Sequence, residues 1–141
     1  MIVRRFIVVL AAVGFVLAAG CGSGGLYPVT GKVLCNGQPA VGATVAFVRK
    51  DTVNRLDEQT PQGVVQEDGT FSLAGPSGKG VAPGEYVVLI EWKEGAGKAR
   101  GRAPALNAPD RLKRKYLDPN KPLLTATVAA KSNHLPPFEV N

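Results

Sequence analysis

The stretch "EYVVLIEW", Glu85–Trp92, decides the fold. Tyr86, Val88 and Ile90 fall on one side of an extended chain, and Val87 and Leu89 leave the other side apolar too. A run apolar on both faces fits a strand at the centre of a sheet, covered above and below. Pro83-Gly84 just before it reverses the chain, so the strand starts at a turn.

Working outward, β-branched and aromatic clusters recur between turn signals, and no window holds a helical period. Val29, Gly31 and Val33 alternate with Thr30, Lys32 and Leu34, and "CNGQP" (Cys35–Pro39) then reads as a turn. "GATVAFV" (Gly42–Val48) is a second strand, and the polar stretch from Arg49 to Gln62 reads as loop. Val64–Gln66 and Phe71–Leu73 flank Asp68-Gly69, a hairpin signal. "AGPSGKGVAPG" (Ala74–Gly84), punctuated by glycine and proline, should be irregular. Leu123–Ala129 and Phe138–Val140 supply the last strands. Seven short strands without a helix predict an all-β chain folded as an antiparallel sandwich.

The N-terminus states an address. Arg4 and Arg5 precede the apolar run Phe6–Val16, and the small residues Ala18, Ala19 and Gly20 lead directly into Cys21. This is the order of a secretory signal, and the run is too short for the roughly 20 apolar residues that a spanning helix needs. "LAAGC" (Leu17–Cys21) resembles the lipobox of bacterial lipoproteins, with Leu17 one place further upstream than the usual leucine. That resemblance implies removal of residues 1–20 as a signal peptide and acylation of Cys21 with palmitate-type chains. Residues 21–26 then serve as lipidated cysteine and Gly/Ser tether, and residues 27–141 form one domain. The expected location is a bacterial membrane, facing periplasm or exterior. Cys35 is left without a disulfide partner in the chain and reads as a small apolar residue near a strand end.

The domain also carries a family pattern. "YPVTGKVLCNGQPAVGATVAFV" (Tyr27–Val48), "EDGTFSL" (Glu67–Leu73) and "VAPGEYVVLIEW" (Val81–Trp92) resemble carboxypeptidase regulatory-like, or transthyretin-like, domains of envelope lipoproteins. "KYLDPNKPLLTATV" (Lys115–Val128) and "SNHLPPFEV" (Ser132–Val140) look like the closing strands of that group. The resemblance implies a seven-stranded antiparallel Greek-key β-sandwich of the transthyretin-like kind, preceded by an N-terminal signal helix. Fold alone implies no function.

Catalytic constellations are thin. His134 is the only histidine, so neither a multi-histidine zinc site nor a triad without it is available, and it reads as a solvated loop residue. "GPSGK" (Gly75–Lys79) misses the nucleophile elbow at its last glycine and lacks a strand-to-helix context. Glu67-Asp68 lacks the alternating oxygen ligands of a calcium loop. Some transthyretin-like proteins are hydroxyisourate hydrolases, but their several histidines and C-terminal Tyr-Arg-Gly-Ser are absent from a chain ending "PPFEVN". No catalytic residue, metal or cofactor is therefore assigned.

Charge is concentrated. Removing Arg4 and Arg5 from 17 Lys+Arg leaves 15 against 11 Asp+Glu, or +4, and residues 93–118 alone hold eight basic and three acidic residues, or +5. Lys98, Arg100 and Arg102 alternate with small residues as a mobile excursion, and "RLKRKY" (Arg111–Tyr116) rejoins the sandwich at Tyr116. Lys98, Arg100, Arg102, Arg111, Lys113, Arg114 and Lys115 are the candidate contacts to an anionic surface. The expected function is a non-catalytic structural or binding module meeting envelope proteins, glycans or acidic wall polymers. The alternative is a small transthyretin-like hydrolase, favoured if His134 shares a pocket with Arg111–Lys115. Nucleic acid is not an expected partner, because export removes it and no aromatic residues interleave with the charges.

Overall fold

The computed structural model describes residues 25–53, 60–75, 78–98 and 103–141. The signal segment, Cys21, Arg100 and Arg102 lie outside the described residues. The strands are β1 (Val29–Cys35), β2 (Gln38–Pro39), β3 (Thr44–Arg49), β4 (Gln62–Val64), β5 (Thr70–Ser72) and β6 (Ala74–Gly75). They continue as β7 (Gly78–Lys79), β8 (Gly84–Glu91), β9 (Thr125–Val128), β10 (Asn133–His134) and β11 (Phe138–Val140). A single 3-10 turn, Lys50–Thr52, is the one helical piece among the described residues. The all-β sandwich expected from the sequence is what forms.

β8 is central, as its apolar run predicts. It lies between β3 and β9 in a six-stranded sheet of order β7-β6-β4-β3-β8-β9, antiparallel at each described step. Tyr86, Val88 and Ile90 point into the main core with Val45 and Phe47 from β3. Val87 and Leu89 join Val48 in a smaller cluster on the opposite face, covered by Val53 and Leu117. Burial on both faces explains why this strand has no polar alternation.

The second sheet is built around β1, which contributes Val29 and Val33 to the core. β2 and β5 pair with it antiparallel, but β10 and β11 pair with it parallel. The wholly antiparallel arrangement is corrected here, and topology gives the reason. β9 ends beside Gly84, at the end of the sandwich where β1 begins, and the chain crosses between sheets there. β10 then starts beside Val29, where β1 starts, β11 follows beside Val33–Cys35, and both run its way. The crossing is fixed by Asn133, the one buried polar residue among the described residues. Its Nδ2 donates to the carbonyls of Lys131 (2.6 Å) and Ala129 (3.1 Å), and its Oδ1 accepts from Ala129 N–H at 2.8 Å.

Other expectations shift locally. The strand placed at Val64–Gln66 is β4, two residues earlier, because Gly63 packs against the Ser72 carbonyl while Val65 turns inward. The irregular segment Ala74–Gly84 contains the β6–β7 hairpin. Among the described residues eleven short strands form where seven were expected, since four of them are two residues long and exist only through their partners. Cys35 ends β1, half-buried and packed on the core.

Candidate functional site

The basic segment is not a free loop at its C-terminal end. Asp110 organises it through three backbone bonds: Oδ1 accepts from the N–H of Trp92 (2.8 Å) and of Leu112 (3.1 Å), and Oδ2 accepts from the N–H of Arg114 (2.8 Å). The chain runs back along the end of β8, with Arg111 N–H donating to the Trp92 carbonyl and Ile90 N–H to the Tyr116 carbonyl. Leu112 and Tyr116 enter the core. The sandwich is therefore rejoined at Asp110 rather than at Tyr116, because a capping carboxylate and a buried leucine precede the tyrosine.

This docking dictates where the cations point. With Leu112 and Tyr116 facing in, Arg111, Lys113, Arg114 and Lys115 are exposed. Lys113 and Arg114 both sit in the left-handed region, at φ 53° and 60°. Each such residue costs about 1–2 kcal/mol without glycine. The strain is held by Asp110: its carbonyl accepts from Lys113 N–H at 3.0 Å and its Oδ2 from Arg114 N–H. Arg111 lies 3.6 Å from the ring centroid of Trp92, whose Nε1–H donates to the Val41 carbonyl at 2.9 Å. Lys115 Nζ donates to Asn141 Oδ1 and lies 5.5 Å from the Tyr116 ring.

The structure brings the described candidates into two neighbouring groups. Lys98 and Arg111 line an open cavity of about 330 Å³ with Glu94 and Gly95. Lys113 and Arg114 line one of about 530 Å³ with Glu91, Lys93, Leu106 and Asp110. The acids there are largely occupied: Asp110 by backbone N–H groups, and Glu91 by Lys93 at 3.9 Å. Among the described residues none of Lys98, Arg111, Lys113, Arg114 and Lys115 forms an ion pair. Sequence reasoning missed Asp110 and Leu106. The signal for Asp110 was an Asp preceding a turn in which two apolar residues are spaced by four, Leu112 and Tyr116.

His134 lies elsewhere. It is the exposed end of β10, with Nδ1 2.8 Å from Thr30 Oγ1, and it lines an open groove of about 800 Å³ with Lys32, Gln66 and Phe71. None of Arg111–Lys115 lines that groove. Among the described residues no three His, Cys, Asp or Glu side chains gather as a metal site. The acids adjacent in sequence at Glu67-Asp68 form a turn: Asp68 Oδ1 accepts from Thr70 N–H at 2.9 Å and from Thr70 Oγ1–H at 2.6 Å. These bonds hold the Asp68 carboxyl below the usual carboxylate range.

No curated protein and no solved structure matches the chain. A model of the transthyretin-like family matches residues 30–90, from β1 to the end of β8, and supports a transthyretin-like domain there. The matched span ends before Asp110, so the basic turn is carried by residues beyond it. The family match over residues 30–90 and the two packed sheets agree on a small β-sandwich similar to those of transthyretin-like domains.

Proposed function

We propose that the protein is a bacterial envelope lipoprotein of the carboxypeptidase regulatory-like group, anchored through acylated Cys21, whose sandwich is a non-catalytic binding module. Its working surface is the basic turn, and its partners are anionic surfaces of the envelope: headgroups, acidic glycans or acidic protein faces. The observation that carries this reading is the pair Lys113 and Arg114, two strained non-glycine residues held exposed by Asp110 that form no ion pair among the described residues. Strain kept at two cations that contribute nothing to the core supports a role outside the fold. The "LAAGC" signature supports the anchor, and more than one acyl chain gives stable membrane attachment.

The test is metabolic labelling with palmitate in a bacterial host, followed by membrane fractionation. The native chain should carry label and sediment with membranes, and Cys21→Ser should lose both. Label or membrane attachment retained by Cys21→Ser overturns the anchor.

A further inference from the structure

The two ends of the sandwich differ in charge and in what they leave bare, and β8 spans the distance between them. At its start, Gly25 lies beside Pro83, Tyr27 bridges to Val81, and Leu26 is 41 % exposed. At this end Arg49 pairs with Asp51 at 3.1 Å and Lys50 with Glu85 at 3.4 Å, which leaves Lys131 as an exposed cation with no ion pair among the described residues. At its finish lie Trp92, Lys93 and the Asp110 turn, with Lys113 and Arg114 in no ion pair among the described residues. Leu106 is 95 % exposed there, and Lys93 Nζ donates to its carbonyl at 3.2 Å. From Gly84 to Trp92 the strand covers about 26 Å at ~3.3 Å per residue. The four steps from Cys21 to Gly25 reach at most about 14 Å.

We infer that the basic end docks on an anionic lipid surface other than the leaflet that holds the anchor, with Leu106 entering the acyl boundary between Lys93, Lys113 and Arg114. The inference rests on the lipid-anchored reading above. An acyl chain at the Gly25 end sets the membrane at the pole where Arg49 and Lys50 are paired, and an upright domain carries the cluster of Lys93, Lys113 and Arg114 away from it. The tether is shorter than the strand, so it cannot fold the far pole back without laying the domain flat. A polar polymer gives no reason for a bare leucine among cations, whereas the headgroup boundary stabilises both.

The experiment uses the full lipidated chain, placed in zwitterionic vesicles and mixed with a second population of labelled vesicles containing phosphatidylglycerol. Energy transfer between the populations reports docking. The native chain should join them, and high salt should separate them. Lys113→Gln with Arg114→Gln should weaken docking by about 25-fold, near fivefold per charge. Leu106→Ser, at a site that packs against nothing, should weaken it by about tenfold. Docking seen only when phosphatidylglycerol shares the protein's own vesicle overturns the second-surface inference and leaves the basic turn as an anionic contact. Loss in the charge variant with none in Leu106→Ser overturns the lipid partner in favour of an ionic polymer. No dependence on phosphatidylglycerol in either arrangement overturns the basic-turn reading as well. Failure of the native chain to enter the zwitterionic vesicles overturns the anchor and this inference together.

Discussion

Replacing Asp110 by alanine removes the acceptor of three backbone N–H groups at once. Two of those bonds, from Trp92 and Leu112, are partly buried at 2.8 and 3.1 Å, and the third, from Arg114, is exposed at 2.8 Å. A hydrogen bond to a charged acceptor contributes about 1.5 kcal/mol or more when partly buried, and an exposed one about 0.5 kcal/mol. Asp110→Ala should therefore destabilise the domain by about 3.5 kcal/mol. Asp110→Asn keeps an oxygen for Trp92 and Leu112, replaces Oδ2 by an N–H₂ facing Arg114 N–H, and should cost about 1 kcal/mol. Urea unfolding followed by fluorescence checks both, because Trp92 is the only tryptophan and sits at the turn. An Asp110→Ala midpoint corresponding to less than about 0.5 kcal/mol of loss, or an asparagine variant as weak as the alanine one, would show that the carboxylate does not hold the turn.

Gly42 has φ +82°, and a Cβ there would stand 2.4 Å from Gly97 N and 2.7 Å from the Ala96 carbonyl carbon, both backbone. Gly42→Ala should cost about 3 kcal/mol in the same unfolding assay, from left-handed strain plus overpacking; a loss under about 1 kcal/mol would mean the two loops move apart freely. Lys113→Gly relieves left-handed strain at an exposed site, so its stability should equal or exceed the native value while its binding to anionic vesicles falls. A clear loss of stability would place Lys113 among the residues the fold needs. Asp68 has a folded pKa below its unfolded one, so its contribution is present above the ordinary carboxylate pKa and is lost as pH falls through the folded value. Asp68→Asn should flatten the decline in urea midpoint across that acid window, and an unchanged pH slope would reject the assignment.

The long strands were legible because burial writes itself into them. Tyr86, Val88 and Ile90 alternate with Val87 and Leu89 under two apolar clusters, so composition alone located β8. β6, β7 and β10 left no such trace, since two-residue strands are defined by pairing across the fold rather than by their own side chains. The parallel closing strands depended on where the chain crosses between sheets, and that choice is made by the side-chain bonds of Asn133, a residue with no local pattern. In "RLKRKY" four cations outnumber two apolar residues, so net charge concealed that Leu112 and Tyr116 are core. Asp110 registered only as one negative charge in a sum, although its value lies in three directed bonds. The arrangement of the cations was thus hidden, while their number was plain.

The parallel closing pairs have a bearing on how the chain acquires its structure. β1 is among the first strands to be made, yet two of its neighbours are the last: Val29 pairs with Asn133, and Cys35 with Val140. Until the final residues are available, β1 has β2 and β5 on one flank but lacks β10 and β11 on the other. Such distant pairing raises contact order and slows folding, because the whole loop must close before the contacts reward it. A partly synthesised chain therefore cannot complete the β1 sheet for as long as its C-terminus is missing. Truncation at Leu135 would leave β1 with an open edge, a template for another chain to pair with.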